Sequence, residues 1–325
     1  MSERPIFRAL RCFMEVTEMN SAITILYQIV IMFILIMFGF FLYKKGSFTK
    51  RGCKQLSDFV LSVVCPVLIF TSFQKELEPK LIKGLLMSFL FSLFAQIILI
   101  ALGMIFCGKR RGEDAGVERF AVAYSNCAFL GIPLIQSVYG TDGIFYLTAY
   151  IAMFNLLSWT HGIMTMTEKM NFKFAVNALK APAVIATFAG LVFFFLQIRL
   201  PDIVMQPLNY IASLNTPLAM LISGMTIARS DLKKALKRSG IYLTSFLKLI
   251  AGPLLLLLIM LPFGADPVVA NTILISAACP TAASTVMFAA RYSKNAVYAS
   301  EIFAVTTIAS AVTMPLILLI SSLFM

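Results

Sequence analysis

Charged and metal-binding residues are scarce in this sequence. Only 13% of its 325 residues are charged, and His161 is its one histidine. Because soluble proteins carry about 25% charged residues, the sequence leaves no room for a sizeable soluble domain. One histidine excludes a histidine cluster, and the six cysteines lack CxxC spacing. GxGxxG, Walker A and HExxH patterns are absent, so we predict no cofactor, no metal site and no enzyme activity.

Apolar residues dominate instead. They make up 60% of the chain, and the mean hydropathy is +0.89. A helix needs about 20 such residues to cross a bilayer. The sequence therefore predicts an all-α integral membrane protein with ten transmembrane spans, at Ala22–Tyr43, Leu56–Phe73, Leu81–Cys107, Phe120–Tyr139, Asp142–Met166, Pro182–Leu200, Pro207–Ala228, Gly240–Phe263, Pro267–Ala290 and Val297–Phe324.

The net charge of +12 is concentrated in the short loops between these spans. One set of loops holds 19 Lys and Arg residues and the opposite set holds 7, three of them near the N-terminus. The positive-inside rule then places both termini outside the cell and the link 165–181 in the cytoplasm. We expect a multi-pass plasma-membrane protein surrounded by lipid, with no nucleic-acid partner. Residues 1–18 are mixed and charged, and we interpret them as an N-terminal extension or an upstream start.

Prolines recur at matching positions of the two halves. Pro66 and Pro217 are 151 residues apart, and Pro133 and Pro280 are 147 apart. Each half has five spans, an odd number, so the halves would insert with opposite orientation. This pattern indicates a 5+5 inverted repeat, residues 19–164 and 182–325, of the kind found in transporters. The alternative is that prolines are simply frequent in membrane helices.

Two stretches carry residues that a lipid-facing helix avoids: SNCAFLGIPL, from Ser125 to Leu134, and AACPTAAST, from Ala277 to Thr285. We predict that they break spans four and nine near the membrane centre, because proline removes a backbone donor. The N–H groups of a new helix start suit a carboxylate, and Pro133 and Pro280 are expected near the first helical position. The candidate substrate-binding residues are Asn126, Gly131, Pro133, Pro280, Thr281, Ser284, Thr285 and, more weakly, Asn155. For the hydroxyls, close helix packing is the alternative.

Ionisable residues inside a membrane are functional candidates. Lys248, near mid-depth of span eight, is predicted to offset the charge of an anionic substrate or to pair with a carboxylate; the alternative is a lysine snorkelling along the helix. Glu301, near the inner end of span ten, is predicted to carry a proton or lock the crossing, unless it is an interfacial carboxylate. We interpret Asp58 as the residue that opens span two; the alternative is an ion-coupling residue.

The sequence resembles the auxin efflux carrier family, within the bile/arsenite/riboflavin transporter superfamily. The similarity lies in SNCAFLGIPL, in CPTAASTVMFAARY (Cys279 to Tyr292) and in YASEIFAVTTIASAVTMPL (Tyr298 to Leu316), and it extends over Met19 to Met325. It implies a scaffold of spans one, two, six and seven. It also implies a moving transport domain of spans three to five and eight to ten, in which broken spans four and nine cross. Asn126 matches the family's asparagine, whereas the long hydrophilic central loop of many plant members is missing.

The resemblance implies export or exchange of small organic anions, such as mono- or dicarboxylates. We expect a secondary transporter that works by elevator-like alternating access. A sodium-coupled symporter of larger organic anions and a non-transporting solute receptor are the alternatives. The coupling ion, proton or sodium, and a homodimer through the scaffold helices are left open.

Overall fold

The computed structural model describes residues 27–28, 30–107, 114–167, 180–230 and 232–324. Within them, regular secondary structure is helical apart from one isolated β-bridge. In chain order the helices are α1 (Val30–Lys44), α2 (Lys50–Ser72), α3 (Pro79–Cys107), α4 (Ala115–Ala123), α5 (Cys127–Thr167), α6 (Pro182–Phe195), α7 (Asp202–Ala228), α8 (Leu232–Ala235), α9 (Ser239–Phe263), α10 (Pro267–Ala278), α11 (Ser284–Arg291) and α12 (Ala296–Ser322).

Six of these helices are long and apolar enough to cross a membrane: α2, α3, α5, α7, α9 and α12. Three shorter apolar helices accompany them, α1, α6 and α10. The predicted all-helical, membrane-spanning class is confirmed at this level. The predicted extension, residues 1–18, lies outside the described residues, as does most of the predicted link between the halves.

Helix α5 contains two predicted spans joined by a fold at Gly140. This glycine has φ 58° and ψ −144°, which no helix contains. A Cβ placed on Gly143 would lie 2.6 Å from the Ile135 side chain, although residues eight apart in a straight helix are about 12 Å apart. The chain therefore turns back on itself at Gly140, where glycine tolerates the positive φ.

Several helix boundaries follow local capping rather than the predicted positions. Helix α2 begins at Lys50 because the Thr49 hydroxyl accepts a hydrogen bond from the Gly52 N–H at 3.1 Å. The prediction that Asp58 opens this span is therefore wrong. Asp58 lies well inside α2 and is exposed.

Spans six and seven also differ from the prediction at the loop between them. Helix α6 ends at Phe195 and not at Leu200, because Gln197 adopts a left-handed φ of 53° that terminates the helix. Helix α7 begins directly after Pro201, so Pro207 lies inside it and does not start it.

Two groups of helices pack within themselves and meet along α5, which also packs against α2, α6 and α7. In the first, α2 packs against α6 and α7, and α1 meets α7 through glycines. In the second, α3 packs against α4, α5, α9 and α10, and α12 packs against α9, α10 and α11. The first group corresponds to the spans expected in the scaffold and the second to those expected in the transport domain.

Backbone contact between α1 and α7 depends on two glycines. A Cβ added to Gly224 would lie 1.8 Å from the Ile36 carbonyl oxygen, and one added to Gly39 would lie 2.3 Å from that of Leu221. Because both obstacles are backbone atoms, side-chain rotation cannot relieve them. Small residues at such crossings allow helices to approach closely in membranes.

We expect Gly224→Ala to destabilise the protein by about 1–3 kcal/mol, since overpacking forces the two backbones apart. The melting temperature of the purified protein in detergent measures this. Gly52→Ala is the matched control, because a Cβ there meets only ordinary contacts at 3.6 Å or more. Equal melting temperatures for the two variants would contradict the close approach.

Candidate functional site

The chain breaks between α4 and α5 and between α10 and α11 meet and pair through their backbones. The Asn126 N–H donates to the Pro280 carbonyl at 2.7 Å, and the Ala282 N–H donates to the Tyr124 carbonyl at 2.9 Å. Ser125 and Thr281 lie opposite each other in this antiparallel bridge. Since water is absent from the bilayer core, backbone groups freed by a break need such partners. Each break supplies them to the other.

The first break falls at Tyr124–Asn126, ahead of Pro133. Tyr124 is extended, with φ −114° and ψ 120°, and the helix restarts at Cys127 in a π-helical turn that ends at Gly131. Pro133 is the second residue of the regular α-helix that follows. The predicted position of Pro133 at the helix start therefore holds for the α-helical part only, and the break itself lies at Asn126.

Asn126 is 4% exposed and is fixed by its backbone on both sides. Its N–H is bonded to Pro280, and its carbonyl accepts from the Leu130 and Gly131 N–H groups at 3.0 and 3.3 Å. Its side-chain nitrogen Nδ2 has no hydrogen-bond partner among the described residues. A buried amide without a partner costs about 1–3 kcal/mol, so this donor is suited to a ligand. No side chain caps the α5 start within the described residues.

The second break runs from Cys279 to Ala283, and Pro280 lies inside it. Its predicted place at the first helical position is wrong, because α11 begins only at Ser284. The reason is the pairing, which holds residues 280 to 282 extended against the first break. The Ser284 Oγ and Thr285 Oγ1, on the first turn of α11, have no partner among the described residues.

Thr281 is held by the protein itself. Its hydroxyl donates to the Ala121 carbonyl at 3.0 Å, and its N–H donates to Thr306 Oγ1 at 3.3 Å. These bonds join the second break to α4 and α12. These bonds give the Thr281 hydroxyl a structural role. The hydroxyls of Ser284 and Thr285 have no such bonds among the described residues.

Gly131 allows the two breaks to approach. A Cβ at this position would lie 3.3 Å from the Cys279 sulfur and 3.4 Å from the Cys127 Cβ. Both distances are tighter than ordinary side-chain contacts. Close packing therefore puts Gly131, one of the predicted site residues, beside the paired breaks.

Lys248 extends from α9 to the place where residues 124–126 and 280–282 pair, which we call the crossing. It lies in a π-helical turn, Leu247–Ala251, and is 0% exposed. Its ammonium donates to the Ser125 hydroxyl, whose oxygen also lies 2.9 Å from the Tyr150 hydroxyl. No carboxylate lies within ion-pair distance of Lys248 in the part of the chain that the structure describes. A snorkelling lysine is excluded by this burial.

The remaining candidates, Asn155 and Glu301, bond to partners outside the two breaks. The Asn155 amide donates to the Ile151 carbonyl on its own helix at 2.9 Å. Glu301 is buried but lies 3.5 Å from Arg238, at the start of α9. Arg238 stacks 4.9 Å from the Tyr298 ring centre, and the Tyr298 hydroxyl donates to Glu118 at 2.6 Å. Glu301 thus belongs to a separate polar cluster.

The sequence interpretation missed Ser125 and Tyr150 as residues of the crossing. Ser125 opens the motif SNCAFLGIPL, but nothing in the motif separates it from a serine that bonds within its helix. Tyr150 is 25 residues away on the folded-back half of α5. A buried lysine in α9, which must find a polar partner, was the available signal.

Comparison with known proteins agrees with this architecture. The chain matches the family described as "Membrane transport protein" over residues 24–170 and 163–318. The chain belongs to this family, that of the auxin efflux carriers. It is therefore a multi-pass membrane protein of a transporter family, which confirms the resemblance.

Relatives in this family are distant but match along most of their length. An uncharacterized transporter of Methanocaldococcus jannaschii is 24% identical over 86% of this chain and 93% of its own. A Rhizobium meliloti protein named "Putative malonate transporter" is 25% identical over 79% of this chain and 83% of its own. An uncharacterized transporter of Escherichia coli is 22% identical over 89% and 95%.

We expect Ser125→Ala to destabilise the protein by about 1–3 kcal/mol, because it removes the hydrogen-bond acceptor of a buried ammonium. In the Lys248→Met background the same change is expected to cost clearly less, since no ammonium then needs the hydroxyl. Denaturant unfolding of the four proteins measures the coupling. Effects that add to within about 0.5 kcal/mol would contradict the bond between Lys248 and Ser125.

Proposed function

We propose that the chain is a secondary transporter of small organic anions, mono- or dicarboxylates, which bind where the two breaks cross. The observation that carries this proposal is the convergence of unused donors and one buried cation at a single place. Asn126 Nδ2, Ser284 Oγ and Thr285 Oγ1 lack partners among the described residues, and Lys248 is buried beside Ser125. Two helix starts without side-chain caps add backbone N–H groups; at α11 the Thr285 and Val286 N–H groups already bond to the Ala282 and Ala283 carbonyls.

The chemistry of these groups favours an anion. A helix N-terminus carries about half a positive charge together with free N–H groups, and charge-assisted bonds to a carboxylate are stronger than neutral ones. The cation and the donors are therefore all complementary to a carboxylate. The name of the Rhizobium relative, which mentions malonate, is consistent with a carboxylate substrate.

For the mechanism we propose an elevator-like movement. The scaffold would consist of α1, α2, α6 and α7, and the moving domain of α3 to α5 and α9 to α12. Packing that is more extensive within each group than between them supports this division, with α5 and α12 forming the contact to the scaffold. The crossing lies wholly within the second group, so a bound anion would travel with it.

Asn126→Ala is expected to weaken anion binding at least about tenfold, because a hydrogen bond to a charged group contributes about 1.5–3 kcal/mol. The measurement is exchange of labelled for unlabelled malonate in proteoliposomes, with other mono- and dicarboxylates in parallel and with or without sodium. Asn209→Ala is the control, because Asn209 is an exposed asparagine of α7. Equal apparent affinities for the two variants would contradict the site.

An absolute sodium requirement for exchange would favour the sodium-coupled symporter. Substrate-induced thermal stabilisation without any exchange would favour the receptor. Both outcomes would keep the fold and replace the proposed function.

We further propose ten spans in a 5+5 inverted repeat in the plasma membrane, with both termini outside. Lys45 follows the first span and Arg199 follows the sixth, so the two residues occupy equivalent positions in the two halves. Both are exposed. Inversion would put them on opposite sides of the membrane, whereas a parallel repeat would put them on the same side.

We expect an impermeant maleimide to label Arg199→Cys in intact cells and Lys45→Cys only after permeabilisation. Five of the native cysteines are buried, so Cys12→Ser provides a suitable background and serves as the unlabelled control. Labelling of both introduced cysteines from the same side would rule out the inverted repeat.

A further inference from the structure

The surroundings of Lys248 contain many polar groups but little negative charge. Its Nζ donates to Ser125, and the Ser125 hydroxyl adjoins that of Tyr150. Cys127 and the Cys279 sulfur lie beside Gly131 at the same crossing. Phenols and thiols are ordinarily protonated at neutral pH. The lysine is thus solvated by neutral groups.

Carboxylates on the helices around α9 are engaged elsewhere. Glu301 of α12 pairs with Arg238, and Glu118 of α4 accepts from Tyr298. Asp266, directly before α10, lies 2.9 Å from Lys80 in the first turn of α3. On α5, Asp142 pairs with Lys75. Among the described residues, each of these carboxylates therefore has a partner other than Lys248.

A cation buried in this way needs a counter-charge. Isolated ions in an apolar interior are strongly disfavoured and tend to lose their charge, and one lysine at the centre of a membrane helix costs about 2.5–3.5 kcal/mol. A carboxylate bound at the crossing would supply the missing negative charge. Anion and proton would then stabilise each other at the site, which is a reciprocal coupling between two ligands.

We propose that Lys248 carries a coupling proton, so that the protein transports one proton together with each organic anion. A proton from water on the open side adds to the nitrogen lone pair of Lys248 as the anion binds. On the other side the anion leaves, and the same proton returns to water. The empty domain moves back with an uncharged lysine. This inference rests on the proposed function and adds the coupling ion to it.

Anion exchange and net uptake are expected to depend differently on the charge of Lys248. Exchange of anion for anion needs no change in the charge of Lys248, whereas net uptake requires an empty, uncharged return. Arginine stays protonated in proteins. Lys248→Arg is therefore expected to lower net uptake far more than it lowers exchange.

The test uses full-length protein in proteoliposomes with the membrane voltage clamped at zero by potassium and valinomycin. For the unmodified protein, an inward proton gradient of one pH unit is expected to accumulate labelled malonate up to about tenfold, the ratio of proton concentrations. A pH dye trapped inside should report acidification during uptake. Liposomes without protein correct for passive entry of the acid.

Lys248→Arg is expected to show no accumulation above protein-free liposomes, while its exchange of malonate at equal pH falls by a smaller factor. Lys83→Arg makes the same change at an exposed lysine of α3 and should keep both activities. Accumulation by Lys248→Arg at the unmodified level would overturn the proposal. So would loss of exchange in a Lys248→Arg protein that malonate still stabilises against heat.

If Lys248→Arg does not fold, the unmodified protein alone tests proton coupling. Malonate exchange without gradient-driven accumulation and internal acidification would overturn proton coupling while leaving the proposed function intact. Absence of exchange with every carboxylate tested would instead refute the proposed function itself.

Discussion

Backbone hydrogen bonding inside the membrane is the constraint on which this structure depends. Two helices are interrupted, and the exposed peptide groups have no water to bond to. The chain meets this requirement by pairing one interruption with the other, through Asn126 to Pro280 and Ala282 to Tyr124. Either break alone would leave these peptide groups without the partners that they have here. The crossing of the two halves is therefore a condition of folding as well as a place where a ligand can bind.

This pairing also determines which polar groups remain unused. Extended backbone is satisfied by its partner strand, whereas the first turns of α5 and α11 are not capped by side chains in the described part of the chain. Lys248 adds the one buried cation at the crossing and is bonded to Ser125, in the middle of the paired segment. Its bond links α9 to the crossing, so the helix that supplies the charge also helps to hold the breaks in register.

Sequence reasoning predicted much of this arrangement, and its errors have a common physical cause. Apolar length identified the helical membrane class, and the motifs around Asn126 and Pro280 identified the two breaks. A proline shows where an N–H is missing, but not where the chain becomes extended. That position is set by a pairing partner about 150 residues away, so the first break was placed too close to Pro133.

The hydrogen-bond partners of hydroxyl groups were harder to predict from the sequence, for the same reason. A serine or threonine in a helix commonly bonds to a carbonyl of its own helix, as Ser88 does with Gly84. Ser125 differs only because its segment is extended and a lysine of α9 reaches it. The sequence therefore marked Lys248 as a functional candidate, but its bond to Ser125 required the three-dimensional structure.

The two arms of the crossing are not equivalent, despite their matching positions in the sequence. Asn126 is held on both sides by backbone bonds to Pro280 and to the first turn of α5, so the position of its Cβ atom is set before any ligand arrives. Ser284 and Thr285 lie on a helix, where their hydroxyls can rotate towards a carbonyl one turn back. A fixed donor loses less entropy on binding than a rotating one. Asn126 is therefore the side chain expected to select the ligand, while the hydroxyls adapt to it.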